Sequence, residues 1–424
     1  MKGIHKKIIS ISLLSMVTTL HAAGYRLEFQ SPSVLADAGE AAVVEDAGTN
    51  WYNSAGLVYL PQQLVVSTIG IYERTKFSGT STAASAVDPA FNYANTNSRA
   101  SSYTTPLLPA IHYTVPFKER FAFGISIVPA WGLSKNYGLD SDVRYNIDKV
   151  STKTIDIAPS IAMKLNDQWS VGVGPDFHYF SIQSKVATLT QPVTATDSVS
   201  RYTADNWGHG FHAGVLYRIT NGTRVGLNYR SKIVMNLTGY TDFIWTGIQN
   251  FSNNQFKISF HLPPTTTLSI YHELTDKFAL MGTVAYDQWS VIRYYYGQNI
   301  IGPPAPGVLS NSVLRQNFHN TFDFSAGMHY KWNEKWLLRA SVKYEPTPTV
   351  DSFRGLSFPD PQKIGVNLGA RYQINKKLAL DMLYAHVFTP AVAINDVNPL
   401  TGATSAGHTN TAIDLAGVQL VWNI

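Results

Sequence analysis

A two-residue alternation of apolar and polar side chains recurs along this chain and constrains its fold more than any other feature. From Trp169 to Tyr179, large apolar residues occupy every second position, and small or polar residues such as Gly172 and Asp176 stand between them. The same division recurs in the stretches 121–127, 324–332 and 336–344. Because successive side chains of a β-strand point to opposite faces, each stretch predicts a strand with one apolar face.

The ends of these strands distinguish a membrane barrel from a soluble β-sandwich, whose strands also alternate. Aromatic residues mark strand ends at Trp169, Tyr179, Trp332 and Trp336, as in the aromatic girdles at the two membrane interfaces. The apolar faces run for about ten residues, the length that a tilted strand needs to cross a bilayer. Charged residues make up only 14% of the chain, against about a quarter in soluble domains. The pattern therefore favours transmembrane strands.

Short polar connections between these strands give the strand number. Six of them lie at residues 118–120, 166–168, 220–223, 275–277, 333–335 and 375–377. Each intervening stretch is long enough for two spanning strands and one long external loop rich in Ser, Thr, Asn, Gly and Pro. Six tight turns separate seven hairpins, so we predict an all-β fold, a 14-stranded antiparallel transmembrane β-barrel over residues 61–424.

The first 22 residues have the features of a secretory signal peptide. A basic start with Lys2, Lys6 and Lys7 precedes an apolar stretch of 13 residues at 8–20, and small residues follow from Ala22. A membrane anchor would need ~20 apolar residues, so we predict export and cleavage after Ala22. The chain contains no cysteine, which excludes disulfide bonds and thiol chemistry.

Residues 23–60 do not alternate and form a different kind of segment. The stretch from Ala36 to Gly48 is rich in Ala and Glu and is punctuated by glycine, a composition that suits short helices. Its acidic residues make it unsuited to face lipid. Since a barrel of this size encloses a wide lumen, we predict a helical hatch, or plug, inside the barrel. The alternative is a periplasmic extension.

Several blocks of the sequence resemble the FadL/TodX family of outer-membrane transporters for long-chain fatty acids and aromatic hydrocarbons. The blocks are WYNSAGL at 51–57, LPPTTTL at 262–268, and YEPTPTVDSFR at 344–354. They fall in register along nearly the whole mature chain. The resemblance implies a 14-stranded barrel with an N-terminal hatch, and it implies a hatch or gating role for Asn53, Ser54, Ala55 and Gly56. Ser54 replaces the proline that is general in the family.

The resemblance also implies a function and a location. A member of this family captures a hydrophobic molecule among its external loops, rearranges its hatch, and releases the molecule sideways through the barrel wall. We therefore expect outer-membrane transport of long-chain fatty acids or similar hydrophobic molecules in a Gram-negative bacterium. The expected surroundings are outer-membrane lipid, lipopolysaccharide and the barrel-assembly machinery, and we expect a monomer.

Pro129 and Gly132 mark a candidate lateral gate. The predicted strand at 121–127 runs into the sequence Pro-Ala-Trp-Gly at 129–132. Proline removes a donor from the strand ladder and glycine weakens packing, so the wall can kink inward there. The equally simple alternative is that the strand ends at Pro129.

Apolar residues in the loops indicate a ligand groove, although loop packing explains some of them. The candidate apolar contacts are Trp245, Phe251 and Phe256, because apolar side chains in solvent-facing loops are typical of binding surfaces.

A buried ligand carboxylate would need a basic partner. In the family, basic residues on inward strand faces have this role, and alignment by resemblance places His319 and Gln183 at two such positions. Lys185 and Arg315 lie nearby in the sequence. His319 would supply a cation only when protonated, and a purely structural role for it is the alternative.

Other function classes find little support in the sequence. The 12 histidines are scattered, and neither a metal-ligand spacing nor a Gly-x-Ser-x-Gly motif occurs, so we expect neither an enzyme nor a cofactor or metal. The net charge of +5 is small and evenly spread, which argues against nucleic-acid binding. The remaining alternative is a general diffusion porin for small polar solutes, which would have an open lumen.

Overall fold

Fourteen antiparallel strands account for most of residues 26–194, 196–302 and 307–424, which the computed structural model describes. The predicted signal peptide at residues 1–22 lies outside the described residues. None of the described helices combines the length and the apolar content that a membrane-crossing helix needs.

Seven of the strands are continuous and seven consist of two segments that pair with the same neighbours. The strands are β1 (Gln63–Ala83), β2 (Tyr93–Thr104 and Leu107–Phe117), β3 (Phe121–Val128 and Ser134–Asn136), β4 (Lys149–Lys164), β5 (Trp169–Thr188), β6 (Ser198–Arg218), β7 (Thr223–Arg230 and Ile233–Trp245), β8 (Gln249–Leu262 and Thr265–Glu273), β9 (Phe278–Asp287 and Tyr294–Ile301), β10 (Leu309–Arg315 and Thr321–Lys331), β11 (Trp336–Glu345), β12 (Lys363–Asn375), β13 (Leu378–Phe388 and Val392–Val397) and β14 (Thr404–Asn423).

Each strand pairs with the next, and the last pairs with the first. The closing ladder between β1 and β14 runs from Gln63 opposite Asn423 to Thr82 opposite Thr404. Closure leaves no free edge among the described strands, as a hydrocarbon environment requires. The fold class, the strand number and the six short turns predicted from the sequence are therefore confirmed. We call the end with the short turns the turn end, and the opposite end the loop end.

The alternation in the sequence corresponds to the two faces of the wall. In β5, the polar and small residues Ser170 and His178 are fully buried inside, whereas Trp169 and Phe177 are exposed on the outer face. The apolar residues thus form the outer surface, and the inner face carries the polar groups that would be costly in lipid.

The N-terminal segment before β1 lies inside the barrel. It contains α1 (Pro32–Asp37), α2 (Thr49–Tyr52) and a 3₁₀ helix (Ser54–Tyr59). Three further 3₁₀ turns lie in the connections and interruptions, at Pro89–Phe91, Trp289–Val291 and Asp351–Phe353. Pro32 occupies the first turn of α1, where its missing N–H costs nothing, and Asn53 caps the 3₁₀ helix by accepting a hydrogen bond from Ala55 N.

Candidate functional site

An apolar pocket of about 220 Å³ opens at the loop end of the barrel. β5 shows how the sequence builds it, because alternate residues from Phe180 to Val186 point inward. The other strands contribute in the same way, and the β13–β14 connection covers one side. The described lining is Leu133, Asn146, Ile147, Val150, Thr152, Phe180, Ile182, Ser184, Val186, Tyr202, Phe256, Ile258, Phe260, Tyr295, Gly297, Ile300, Ser312, Leu314, Ser357, Asp396, Val397, Asn398, Pro399 and Leu400.

Aromatic rings give this pocket a preformed wall. Phe260 packs edge-on against Phe180, with 5.1 Å between ring centroids, and against Tyr295, with 5.4 Å. Tyr202 and Phe256 form a third pair at 6.1 Å. Such pairs contribute about 0.5–1.5 kcal/mol beyond the area that they bury. The pocket is therefore shaped before a ligand arrives, and it offers an apolar molecule ring faces and edges to pack against.

The polar side chains of the pocket are largely engaged with the protein itself. Asn146 donates to the carbonyl oxygen of Ala403 at 3.1 Å and accepts from Ser405 at 2.8 Å. Asp396 is half-buried and accepts a hydrogen bond from Leu356 N at 2.8 Å. Burial raises the pKa of Asp396 to about 6. Among the described lining residues there is no lysine, arginine or histidine.

The N-terminal segment bonds to the inner wall of the barrel through its backbone. Ala41 N donates to Ser269 Oγ at 3.0 Å, and Thr283 Oγ1 donates to the carbonyl oxygen of Ala38 at 2.7 Å. Ser170 Oγ donates to the carbonyl oxygen of Ala55 at 2.8 Å. Inward hydroxyl groups on three strands thus satisfy the polar backbone of a segment that has little regular structure of its own.

Glycines on the inner wall allow this close approach. A Cβ atom at Gly226 in β7 would overlap the carbonyl oxygen of Ala41, and one at Gly214 in β6 would overlap Oδ1 of Asn53. Only a residue without a side chain fits at these two positions.

Buried ion pairs hold the other side of the segment against β10 to β13. His329 lies 3.2 Å from a carboxylate oxygen of Asp37 and 3.2 Å from one of Glu45. Arg339 bonds to Glu45 and also to Asp381, the latter at 2.7 Å. Because buried charges are costly unless they are paired and hydrogen-bonded, these contacts specify one docked position of the segment.

Glu45 is held charged in this network. Burial opposes its charged form, but the neighbouring side chains of Arg339, His329 and Arg371 outweigh burial and hold the pKa of Glu45 well below its usual value. Arg371 extends the network to Asp46 at 2.8 Å.

β3 leaves the wall between its two segments. Val128 pairs with Asp156 of β4 and Ser134 pairs with Ser151. Between these points the amide groups of Trp131 and Leu133 donate to threonine side chains of β4, Leu133 N to Thr152 Oγ1 at 2.6 Å and Trp131 N to Thr154 Oγ1 at 3.1 Å. The carbonyl oxygen of Leu133 accepts a backbone hydrogen bond from Thr152 N at 2.7 Å, so the regular ladder with β4 is lost over residues 129–132 and backbone bonding resumes at Leu133.

The ladder between β2 and β3 ends at the same level. Its first pair is Phe117 opposite Phe121 and its last pair is Ile111 opposite Ile127. Beyond the ladder, Asn136 N donates to Ser102 Oγ at 2.8 Å. The described part of the wall therefore has an interrupted ladder on both sides of residues 129–133. The N-terminal segment reaches the same place, because Leu27 N donates to the carbonyl oxygen of Ala130 at 2.9 Å.

The four hatch candidates lie together. Asn53 is buried and donates from Nδ2 to the carbonyl oxygens of Ala41 at 2.8 Å and Val215 at 3.0 Å. Ser54, Ala55 and Gly56 follow it in the buried first turn of the 3₁₀ helix.

The two gate candidates lie in the interruption of β3. The carbonyl oxygen of Pro129 accepts a hydrogen bond from Gln30 Nε2 at 3.1 Å, and Gly132 is buried between the two segments of the strand. The first segment of β3 ends at Val128, directly before Pro129, and strand pairing with β4 resumes at Ser134.

The predicted apolar ligand contacts divide between two places. Phe256 lines the pocket. Trp245 and Phe251 pack against each other outside it, with ring centroids 6.5 Å apart at the β7–β8 connection.

The predicted polar contacts are not brought together. Gln183 is exposed, on the face of β5 opposite the pocket, and Lys185 on that face lies 3.1 Å from Asp148. Arg315 and His319 are exposed near the interruption of β10. None of these four residues is in the described lining of the pocket.

The sequence interpretation did not identify Asp396 or the rings of Phe180, Tyr202, Phe260 and Tyr295 as pocket residues. Extending the alternation of β5 through Phe180 to Val186 would have found part of this lining.

Comparison with known proteins places this arrangement in a family. Residues 13–421 match the family model described as "Outer membrane protein transport protein (OMPP1/FadL/TodX)". The chain belongs to this family.

Relatives support the same assignment. The "Long-chain fatty acid transport protein" of Escherichia coli O6:H1 is 23% identical over 424 residues, which cover 89% of each chain. A Pseudomonas aeruginosa FadL homologue has a similar fold, with a TM-score of 0.82 and 19% identity over 95% of this chain and 100% of that one. The Ralstonia pickettii toluene transporter TbuX has a TM-score of 0.68 and 18% identity, over 95% and 99%. This family member is an outer-membrane β-barrel. Because the short turns of such barrels are periplasmic and the longer loops are extracellular, we assign its loop end to the external side.

Proposed function

We propose that this protein carries long-chain fatty acids or similar hydrophobic molecules across the outer membrane. One observation supports this more than any other: a single segment, residues 130–133, adjoins the pocket, the N-terminal segment and the interrupted wall. Leu133 lines the pocket, Ala130 accepts a hydrogen bond from Leu27, and the ladders on both sides of the segment are interrupted. The pocket that would capture the cargo, the hatch that would gate it and the interrupted wall through which it would leave are therefore adjacent.

The proposed path has three steps. A hydrophobic molecule leaves water for the apolar external pocket, which removes its apolar surface from solvent. A rearrangement of the hatch, residues 23–60, then releases the backbone at Ala130, which is bonded to Leu27 of the hatch. The molecule leaves sideways between β2 and β3, past Pro129 and Gly132, and so avoids crossing the polar inner wall.

A small cavity on the far side of the same segment fits this path. It has a volume of about 60 Å³, and both Trp131 and the hatch residues Trp51 and Tyr52 line it. Arg230 stacks over Trp51, with its guanidinium carbon 3.4 Å from the ring centroid. A movement of the hatch would therefore change this cavity and the support of Trp131 together.

The names of the relatives bear on the cargo and on the class of protein. One relative is named for long-chain fatty acids and one similar structure for toluene, so we propose a hydrophobic cargo of one of these kinds. The family consists of transport proteins, and absence of enzyme activity stays a prediction. Contacts with lipopolysaccharide, assembly by the barrel-assembly machinery, and a monomeric state are also proposals. So are ligand roles for His319, Gln183, Lys185, Arg315, Trp245 and Phe251.

Uptake by whole cells tests the proposal. Cells with and without this protein would receive a labelled long-chain fatty acid or a labelled aromatic hydrocarbon, and we expect faster uptake of at least one by cells that have the protein. Equal uptake of both by the two strains would refute the transport function. A rise in ion or sugar flux without hydrophobe uptake would favour the general porin.

A further inference from the structure

Asp396 is the charged side chain of the pocket described above, and it lies where the pocket meets the β13–β14 connection. It stands on the outer segment of β13, beyond the membrane-crossing part of that strand, and the pocket continues through Val397 to Leu400. The pocket is otherwise lined by apolar and uncharged polar side chains among the described residues.

Only one of the two carboxylate oxygens of Asp396 has a hydrogen-bond donor among the described residues. Oδ2 accepts the hydrogen bond from Leu356 N at 2.8 Å, whereas no donor among the described residues reaches Oδ1. The neighbouring Tyr137 hydroxyl does not bond to it, because that hydroxyl donates to the carbonyl oxygen of Leu356 at 3.1 Å.

No cation among the described residues neutralises Asp396. Arg354 lies two residues before Leu356 in the sequence. Its guanidinium bonds to Asp351 at 2.6 Å and to the carbonyl oxygen of Asp360 at 3.1 Å. At neutral pH the carboxylate of Asp396, with a pKa of about 6, is mainly ionised.

This arrangement discriminates between ligand head groups. A carboxylate placed in the pocket would meet a like charge at short range in an apolar environment, and it would find no compensating cation there. A hydroxyl or amine would instead donate a hydrogen bond to a charged acceptor, which is a stronger bond than one between neutral groups. A pure hydrocarbon would experience neither effect.

We propose that Asp396 sets the cargo specificity of the pocket, which accepts hydrophobic molecules whose polar end donates a hydrogen bond and disfavours those that end in a carboxylate. The proposal rests on the proposed transport function, because it assumes that the pocket receives the cargo. Among hydrophobic cargoes it ranks alcohols, phenols and amines first, hydrocarbons next and fatty acids last.

A matched series of 12-carbon ligands tests the proposal on the whole protein in lipid nanodiscs at pH 7.5. Binding of 1-dodecanol, dodecanoate and dodecane would be measured by displacement of one fluorescent hydrophobic probe. We expect wild-type protein to bind 1-dodecanol roughly tenfold more tightly than dodecanoate. Asp396→Asn keeps the acceptor for Leu356 N and removes the charge, so it should bring the two affinities within about twofold.

Asp140→Asn is the matched control, because Asp140 is an exposed aspartate of the external region and is not part of the pocket lining. It should leave the ratio of the two affinities unchanged. Equal binding of dodecanol and dodecanoate by the wild type would overturn the role of Asp396, as would an unchanged ratio in Asp396→Asn.

Chain length separates this result from a failure of the transport function. If 1-dodecanol binds more tightly than 1-octanol while the head group has no effect, the pocket binds hydrophobic chains and only the role of Asp396 is refuted. If none of the 12-carbon ligands displaces the probe, the pocket is not the capture site and the proposed path is refuted as well.

Discussion

Asn53 donates a hydrogen bond from Nδ2 to the main-chain oxygen of Val215 in β6, across 3.0 Å. The second Nδ2 hydrogen bonds to Ala41 at 2.8 Å, and Oδ1 accepts from Ala55 N at 3.1 Å. One buried amide thus ties two parts of the hatch to each other and to the wall. An amide offers two donors and an acceptor with two lone pairs, and no apolar residue reproduces this set.

Asn53→Ala should loosen the hatch and leave the barrel folded. The substitution removes both donors and leaves buried carbonyl groups without partners, at a cost of about 1–3 kcal/mol for each group. We expect faster amide hydrogen exchange over residues 38–60 and a changed rate of hydrophobe uptake. Heat-modifiable migration in gels should show a normal barrel. The control Asn410→Ala changes an exposed asparagine of β14. Equal exchange rates over residues 38–60 in the two variants would contradict the role of Asn53 in holding the hatch to the wall.

Gly226→Ala should displace the hatch by steric overlap. Its new methyl group would occupy the position of the Ala41 carbonyl oxygen, and the backbone of the hatch has to move away from β7. Gly282→Ala is the control, since the nearest atom to its methyl group would be 3.6 Å away, an ordinary contact. We expect higher ion conductance across planar bilayers for Gly226→Ala only. Identical low conductance would mean that the hatch adjusts without opening.

The wall was predictable from the sequence because its signal is local. Alternation with a period of two identifies each strand face, and the short turns fix the count of strands. The interruptions of the seven two-segment strands carry weaker sequence signals. Pro106 and Pro263 indicate the interruptions of β2 and β8, because proline cannot donate a hydrogen bond to the ladder. The interruption of β10 at residues 316–320 contains neither proline nor glycine. That interruption depends on pairing between distant strands.

The ligand site was less predictable for a physical reason. Shifting a strand assignment by one residue moves each side chain to the opposite face, and this separates the exposed Gln183 from the pocket residues Ile182 and Ser184. Asp396 lies far from these residues in sequence, and its position depends on how the outer segment of β13 packs over the barrel. No local pattern carries that information.

Arg339→Gln should weaken hatch docking at pH 7. The substitution removes one of the two arginines that pair with both Glu45 and Asp381 and leaves only Arg371 between them, and breaking a buried ion pair costs up to about 3–5 kcal/mol. We expect ion conductance at pH 7 to rise above that of the wild type. Lowering the pH to 5 should reduce it again, because Glu40, whose pKa burial raises to about 7, takes up a proton over this range and its protonated form favours docking.

The wild type should stay closed across the same pH range. A carboxylate with a depressed pKa stabilises the docked state above its unfolded value of about 4.3, and this stabilisation is lost only as the pH falls through its lower docked value. Glu40 acts in the same direction, because burial raises its pKa to about 7, against the opposing charge of Arg26, and protonation then favours docking. Arg120→Gln, at an exposed turn residue, is the control. Opening of the wild type between pH 7 and pH 5 would contradict this account.

Pro129→Ala combined with Gly132→Val should slow release of cargo without affecting its capture. The change restores an N–H at position 129 and places a good strand former at position 132, so β3 should approach continuous pairing with β4. We expect hydrophobe uptake by cells to fall several-fold, while binding in nanodiscs stays as in the wild type. This split separates a defect in exit from a defect in the pocket.

Pro116→Ala provides the control for a proline lost from the wall, because Pro116 pairs with Ala122 inside an unbroken ladder. It should change neither binding nor uptake. The double variant at 129 and 132 would also need wild-type heat-modifiable migration, to show that its barrel has formed. Normal uptake by a correctly folded double variant would mean that cargo does not leave through the interruption of β3, whereas loss of binding together with uptake would place the defect in the pocket that Leu133 lines.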